Sequence, residues 1–299
     1  MQSRDNTVGR IFAALAQTGR VLTGRQLAGR GLTVFPDDVF LVSYPRSGNT
    51  WARFLLGNLI YQDAPVTFSN IESRIPEIYF NTERFLRSLP RPRIIKSHEC
   101  FQPHYPHVIY IVRDPRDVAI SYYHHNVKAR NIPDDYPITS FVPRFIAAEF
   151  DRKFGSWRDS VLSWIALRKD DPRFLLLRYE DMKADSVLAL TRLVEFLDCC
   201  SFRKIDTSVG ALQRAIDLSS PERMRALEKQ EAGRWVLTKG TRSDKPFVRS
   251  ATSGGWKSQL APESVEAIES AWGDLMQSLG YELASAAAAS LVSQRGLHS

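Results

Sequence analysis

Residues 46–51 combine the residue types of an anion-binding loop between an apolar run and a helical pattern. Backbone N–H groups at a helix N-terminus favour an anion, and Gly48 lets the backbone approach it closely. Arg46 adds a fixed positive charge, and three neighbours add polar side chains. An ordinary strand–turn–helix junction would show the same pattern, so this segment alone leaves both readings open. The residues of the loop are Arg46, Ser47, Gly48, Asn49, Thr50 and Trp51.

Two further loops carry cations next to small or hydroxyl residues. The segment after residues 107–112 contains Arg113 and Ser121, and residues 247–260 place Arg249 among Ser, Thr and Gly. Taken singly, the first fits surface ion pairs, which contribute little, and the second fits a flexible surface loop. Three loops of this kind in one chain indicate a ligand that carries more than one anionic group.

Lys96 and His98 lie two residues apart in the apolar run 93–98. Side chains at this spacing share one face of a strand, so a cation and a base can face one pocket. A single His is more often structural or exposed than catalytic. His98 gains weight because its strand is expected to end beside the anion-binding loops.

Short β-branched runs alternate with helical patterns along the chain, which predicts an α/β fold: a single domain with a central, mostly parallel sheet flanked by helices. In such sheets ligands bind at the carboxyl ends of the strands, where all three loops begin. The predicted strands are 39–45, 93–98, 107–115 and 173–182. The predicted helices are 50–62, 116–130 and 186–198, and 233–256 is predicted to be a long loop.

Composition narrows the class of protein. The 299 residues are 43% hydrophobic, and no apolar run approaches the ~20 residues that a membrane span needs. Three cysteines give no disulfide framework or paired metal motif, and no secretory signal is evident, so we expect a cytoplasmic protein. The net charge is +7, of which residues 1–30 contribute five Arg against one Asp. This imbalance does not by itself indicate a nucleic-acid partner.

Five segments resemble, in order and spacing, the motifs of the soluble sulfotransferases that use 3′-phosphoadenosine 5′-phosphosulfate (PAPS). They are residues 44–51, 96–98, 112–123, 177–182 and 248–257. The resemblance covers about residues 38–260 and implies a P-loop-like phosphosulfate-binding loop. We therefore expect a sulfotransferase domain at 36–283, between a basic lead-in at 1–35 and an Ala-rich tail at 284–299.

The resemblance also implies a role for each candidate residue. The 5′-phosphosulfate group would be held by Arg46, Ser47, Gly48, Asn49, Thr50 and Trp51. Nucleotide contacts are implied for Trp51, Tyr179 and Ser219, 3′-phosphate contacts for Arg113, Ser121 and Arg249, and catalytic roles for Arg46, Lys96 and His98. His98 is the expected general base, which takes the proton of the acceptor hydroxyl.

The implied reaction moves a sulfuryl group from PAPS to a hydroxyl of a small-molecule acceptor, leaving 3′-phosphoadenosine 5′-phosphate (PAP) and using no metal. Aromatic residues within 62–92 and 131–160 hint at an apolar acceptor, although most of them are expected in the core. They are Tyr79, Phe80, Tyr136, Phe141, Phe145 and Phe150.

The chain departs from the family pattern at three places. The family commonly has Lys where Arg46 stands, and Arg stabilises a leaving phosphate without giving up a proton. The late loop has Ser250-Ala251 in place of Lys-Gly, which removes one cation. Pro221 takes the place of a Phe that often stacks on the adenine.

Two other functions are alternatives to this one. A P-loop kinase or NTPase would carry GxxxxGK[ST], which the chain lacks. Asp114 alone is weak support for the Mg²⁺ ligand that such an enzyme needs. A nucleic-acid or polyanion binder would need a continuous basic face with aromatic platforms, and the sequence shows no such stripe. Preferential stabilisation by ATP with Mg²⁺ rather than by PAP would favour the kinase.

Overall fold

A computed structural model describes residues 23–150, 152–200, 202, 204–231, 233–249 and 252–284. Most of the predicted lead-in and nearly all of the predicted tail lie outside the described residues. Ala28 and Leu32, from the part of the lead-in that is described, are buried in the main hydrophobic core. No helix in the described ranges has the length and apolarity needed to cross a membrane.

The described residues form a four-stranded sheet in the order β2-β1-β3-β4. The strands are β1 (Val39–Ser43), β2 (Ile94–Ser97), β3 (His107–Val112) and β4 (Phe174–Arg178). Every neighbouring pair runs parallel: Phe40, for example, is level with Ile95 on one side and Val108 on the other. The predicted parallel α/β sheet is therefore confirmed.

Helices connect the strands and cover the sheet. Those of the first half are α1 (Asn49–Ile60), α2 (Ile71–Arg74), α3 (Glu83–Ser88), α4 (Pro115–Lys128) and α5 (Ile138–Ile146). Those of the second half are α6 (Trp157–Arg168), α7 (Tyr179–Ala184), α8 (Ser186–Cys199), α9 (Val209–Leu218), α10 (Pro221–Gln230), α11 (Trp256–Gln259) and α12 (Pro262–Ser278). The predicted helices correspond to α1, α4 and α8, with ends that differ by at most two residues.

Three predicted strands run past the observed carboxyl ends by more than one residue: 39–45 by two, 107–115 by three and 173–182 by four. The run 173–182 leaves the sheet after Arg178, and α7 begins at Tyr179. The cause lies in the neighbouring strand, because Arg178 is level with Val112, the last residue of β3. Beyond that point β3 offers no residue to pair with, and the chain continues as a helix with Glu180 and Asp181 in its first turn.

The two faces of the sheet bury separate hydrophobic clusters. Along β1, Phe40 and Val42 face one cluster, while Val39 and Leu41 face the other. This alternation follows from the two-residue period of a strand. Both faces are buried, which explains why the strand sequences are continuously apolar.

The carboxyl ends of all four strands meet at one edge of the sheet, because every strand runs in the same direction. The loop 46–51 follows β1, His98 follows β2, Arg113 follows β3 and Tyr179 follows β4. The fold thus gathers the predicted functional segments that were widely separated in sequence.

The predicted long loop 233–256 crosses this edge without regular structure up to Gly255 in its described residues. Its end is attached to α4, where the Asp117 carboxylate accepts hydrogen bonds from the Gly254 and Trp256 N–H groups at 2.7 and 3.0 Å. Its middle is attached to the other end of α4, where the Lys128 ammonium donates to the Arg242 carbonyl at 2.8 Å.

A buried ionic cluster joins the start of α4 to α12. Arg116 contacts Asp114 at 2.7 Å and Glu269 at 2.6 Å, and its guanidinium lies 3.7 Å from the centre of the Trp256 ring. It also donates to the Glu282 carbonyl at 3.0 Å. The cluster fixes the turn that presents Arg113 to the edge of the sheet.

We expect Arg116→Met to lower the free energy of unfolding by about 3–5 kcal/mol, because it removes the guanidinium that the buried carboxylates of Asp114 and Glu269 contact. Urea denaturation measures this change. Arg158→Met is the control, since the Arg158–Asp274 pair is exposed and its loss should cost under about 1 kcal/mol. Equal losses in the two variants would contradict the role given to the buried cluster.

Candidate active site

A cavity of about 380 Å³ opens at the carboxyl edge of the sheet, beneath the late segment 237–249. It brings together most of the residues that the sequence singled out. Those on its walls are Arg46, Gly48, Asn49, Thr50, Trp51, Lys96, His98, Arg113, Ser121, Tyr179 and Arg249. Ser47 and Ser219, by contrast, are fully buried behind the wall.

Gly48 makes the tight turn into α1. Its φ of 97° lies in the left-handed region that favours glycine, and a Cβ there would lie 2.4 Å from Cδ2 of Tyr179. Gly48 is also the N-cap residue of α1, and no side chain caps this helix. Thr82, Asp114 and Ser156, in contrast, cap α3, α4 and α6. The first N–H groups of α1 are therefore left for an external acceptor.

The polar side chains of this loop differ in what they offer. The Ser47 hydroxyl is buried and has no hydrogen-bond partner among the described residues. The Asn49 amide donates to the Leu41 carbonyl and to the Ser43 hydroxyl, both at 3.2 Å. The N–H groups of the Asn49 side chain thus attach the loop to β1, and the contact of Asn49 with an anion stays a prediction.

Arg46 lies at the mouth of the loop with a positive φ of 69°. Its guanidinium donates to the Ser121 hydroxyl at 3.2 Å and to the Phe247 carbonyl at 3.4 Å, and it lies 4.6 Å from the centre of the Phe247 ring. Burial, and then the charges of Arg113 and Arg249, lower the pKa of Arg46 to about 10. Arg46 thus keeps its charge at neutral pH although it lies among other cations.

Arg113 and Arg249 complete a group of three arginines. Arg113 lies over the face of Tyr179, 4.4 Å from the ring centre, and donates to the Thr252 carbonyl at 2.9 Å. Arg249 donates to the side-chain carbonyl of Gln259 at 3.0 Å. Burial and the charge of Arg113 lower the pKa of Arg249. Their hydrogen bonds go to neutral oxygens, and the nearby carboxylates of Asp117 and Glu228 offset only part of their charge, so positive charge is available to an anionic ligand.

His98 lies one residue beyond β2, with a ring nitrogen fixed by the backbone. Its Nδ1 lies 2.6 Å from the carbonyl oxygen of Ser43. A carbonyl can only accept, so Nδ1 carries the proton and Nε2 is left as an acceptor. Burial first, and then the charge of Lys96, hold the pKa of His98 well below its usual range. The imidazole is therefore neutral at neutral pH and able to take a proton.

The Lys96 ammonium forms a buried ion pair with Glu77 at 2.5 Å. The sequence pattern placed Lys96 in the site but missed Glu77, which lies outside any strand and is brought beside β2 by a single parallel bridge. The sequence nevertheless contains a signal for Glu77 as the partner of Lys96. A Lys in a buried strand needs a carboxylate partner, and Glu77 lies in one of the segments expected to shape the pocket.

Aromatic rings surround His98 on the side away from the arginines. The Tyr79 ring lies nearly parallel to the imidazole with its centre 6.3 Å away, and the Phe154 ring centre is 5.5 Å away. Lys153 lies 3.8 Å from the centre of the Tyr79 ring. Phe141 and Phe145 are buried in the main core instead, as expected for most of the aromatic residues singled out from the sequence.

Trp51 and Ser219 form a support at the other end of the cavity. The Trp51 indole N–H donates to the Ser219 carbonyl at 3.1 Å, and the Asn58 amide donates to the Ser219 hydroxyl at 3.1 Å. Trp51 also meets Tyr179 edge-on, with 5.5 Å between ring centres. Ser219 therefore positions Trp51, and in the described structure its own hydroxyl is occupied by Asn58.

Comparisons with known proteins agree with this geometry. Residues 36–280 match the family model described as the sulfotransferase domain. Sulfotransferase 1 family member D1 of Mus musculus is 29% identical over 250 residues, 78% of this chain and 81% of that protein. Cytosolic sulfotransferase 5 of Arabidopsis thaliana is 29% identical over 269 residues, 81% of this chain and 80% of that protein.

A solved structure gives the same result at the level of the fold. The crystal structure of a mouse sulfotransferase complexed with PAP superimposes with a TM-score of 0.65 and 25% sequence identity. The match covers 83% of this chain and 87% of the mouse chain. The fold described above is thus similar to one that has been solved in complex with PAP.

We expect Gly48→Ala to lower the free energy of unfolding by about 2–5 kcal/mol, since the new Cβ combines a strained φ with a clash against Tyr179. Gly240→Ala is a matched control: its φ is 76°, but nothing lies within 4 Å of the added Cβ, so about 1 kcal/mol is expected. Chemical denaturation of both variants measures the difference. Equal losses would show that the contact with Tyr179 is not what requires glycine.

Proposed function

We propose, since the chain belongs to the sulfotransferase domain family, that it transfers a sulfuryl group from PAPS to a hydroxyl of a small-molecule acceptor and releases PAP. The observation that carries the proposal is a neutral His98 with a free acceptor nitrogen on the wall of a cavity that also presents three arginines and an uncapped helix N-terminus. The PAP found in the mouse sulfotransferase structure supports this choice of donor.

The donor end of the cavity fits a ligand with two separated anionic groups. The N–H groups that begin α1, with Arg46, would hold the 5′-phosphosulfate, and the buried Ser47 hydroxyl without a partner suits an added acceptor oxygen. Arg113, Ser121 and Arg249 would hold the 3′-phosphate. Trp51, fixed by the Ser219 carbonyl, would form one wall of the adenine site.

The proposed reaction begins with a proton transfer to His98. PAPS supplies an activated sulfuryl group, joined to phosphate through an oxygen that can leave. Nε2 of His98 takes the hydroxyl proton of the acceptor as the acceptor oxygen bonds to sulfur. The bond between sulfur and the phosphate oxygen breaks, and its electron pair leaves with PAP. Lys96 and Arg46 would stabilise the negative charge on the sulfuryl and leaving oxygens.

The acceptor would lie on the aromatic side of His98. Tyr79, Phe80 and Phe154 line this part of the cavity, which suits an apolar body carrying the reacting hydroxyl. A cytoplasmic location is proposed with it, in line with the curated relative described as cytosolic.

We expect His98→Ala to lower kcat by about 10²–10⁴-fold, the usual contribution of a general base, in an assay with PAPS and a confirmed acceptor hydroxyl. The dissociation constant for PAP, measured by calorimetry, should change by less than about threefold, because the imidazole does not hold the nucleotide. His104→Ala, at an exposed position, is the control. Near-normal turnover in His98→Ala would refute the assignment of the base. Heat from ATP with Mg²⁺ but none from PAP would refute the donor.

The identity of residue 46 should determine the alkaline limb of the pH–rate profile. Burial and two neighbouring arginines lower the pKa of Arg46 to about 10, and the ordinary pKa of Lys is about two units below that of Arg. In Arg46→Lys, the same surroundings should bring the ammonium into the weakly alkaline range. Activity should then fall as pH rises above about 8, where the native enzyme stays active. The exposed substitution Arg158→Lys is the control, and identical profiles would remove support for the role of Arg46.

A further inference from the structure

Glu77 is the one carboxylate among the described residues that line the cavity. The cationic side chains on the walls are Arg46, Lys96, Arg113, Lys153, Lys183 and Arg249. A site of this charge suits an anionic donor, and Glu77 opposes the donor through its own charge. A buried carboxylate in such a place therefore calls for a functional explanation.

The backbone fixes Glu77 beside Lys96. β2 is an edge strand, and the segment 76–78 pairs with its outer side: the Lys96 N–H donates to the Pro76 carbonyl at 2.8 Å, and the Ile78 N–H donates to the Lys96 carbonyl at 3.3 Å. This bridge leaves the two side chains next to each other, 2.5 Å apart and with no more than 4% of either exposed. Because water cannot solvate either charged group, each is stabilised mainly by the other.

A second pair in the same cluster accounts for the remaining charges. Arg53 is fully buried, donates twice to the Ile75 carbonyl and contacts Glu72 at 2.8 Å. It lies 3.9 Å from Glu77, beyond hydrogen-bonding distance, and Glu77 Oε2 has no hydrogen-bond partner among the described residues. Glu72 is therefore the closer partner of Arg53, which also forms a longer ion pair with Glu77, and Lys96 is the closer partner of Glu77.

We propose that Glu77 is a positioning residue that competes with the bound donor for the Lys96 ammonium, and so limits how tightly PAP and PAPS are held. The inference rests on the proposed function. Without donor, Lys96 is paired with Glu77, and an anion at the neighbouring loop takes over part of that interaction. When the product leaves, the Glu77 carboxylate is in place to pair with the Lys96 ammonium again.

Calorimetry with PAP, which needs no turnover, tests the inference. We expect Glu77→Gln to bind PAP about 5- to 30-fold more tightly than the native protein, because one opposing charge is removed and Lys96 is left for the ligand. The gain should appear mainly as a slower dissociation of PAP in stopped-flow fluorescence. A merely structural role for Glu77 predicts weaker binding instead.

Two controls separate competition for Lys96 from a general change of charge. Glu72→Gln removes the same charge from the same cluster, but its carboxylate serves Arg53 and is 21% exposed, so PAP affinity should change by less than about twofold. In a Lys96→Met background, Glu77→Gln should have almost no effect on PAP affinity. Equal tightening in Glu72→Gln, or full tightening without Lys96, would overturn the proposal.

The possible failures are distinguishable. If the native protein binds no PAP, the proposed function fails and this inference with it. If the native protein binds PAP but Glu77→Gln binds it equally or more weakly, only the inference fails. Thermal unfolding confirms that each variant is folded. Should Glu77→Gln not fold, Glu77→Asp withdraws the carboxylate by one methylene and should tighten PAP binding by a smaller factor, and an unchanged affinity would refute the proposal.

Discussion

Repulsion between three arginine side chains is the constraint on which the rest of the site depends. Arg46, Arg113 and Arg249 face one cavity, where burial first, and then the charges of the two others, lower the pKa of Arg46. Like charges held together in a poorly solvated place raise the free energy of the protein without ligand. Backbone carbonyls stabilise the guanidinium groups of Arg46 and Arg113, and the side-chain carbonyl of Gln259 stabilises that of Arg249, without cancelling their charge. A ligand with two anionic groups would relieve this repulsion, and the relief would contribute to the free energy of its binding.

Contacts outside the cavity keep these cations from separating. Arg113 follows β3, and the buried cluster around Arg116 fixes the turn after it. The predicted loop 233–256 carries Arg249, and its end is attached to α4 by the two hydrogen bonds that Asp117 accepts from Gly254 and Trp256. The parallel sheet supplies the remaining constraint, because it brings the ends of all four strands to one edge. Preorganisation of this kind lets the site bind charge without rearranging.

The sequence was sufficient where a pattern is local. The loop 46–51, His98 and Arg113 were placed correctly at strand ends, because apolar runs and Gly turns identify a parallel sheet. The sequence was insufficient where the hydrogen-bond or ion-pair partner of a residue comes from another element. The Asn49 amide is used by β1, and Glu77 reaches Lys96 through one bridge to an edge strand. β4 ends where its neighbour β3 ends, and the residues of the run 173–182 do not themselves reveal this limit.

The positive field of the cavity acts on His98 and, on the proposed function, would act on the donor as well. Burial and the charges of Lys96, Arg53 and Arg46 lower the pKa of His98, so the imidazole is neutral and able to accept a proton before any ligand arrives. An anionic donor placed beside the same cations would offset their effect and raise the pKa of His98 again. A higher pKa makes a stronger base, provided the imidazole is still unprotonated. In the proposed reaction, the proton affinity of His98 and donor binding would therefore be linked through shared charges, and the base would be strongest when the group to be transferred is in place.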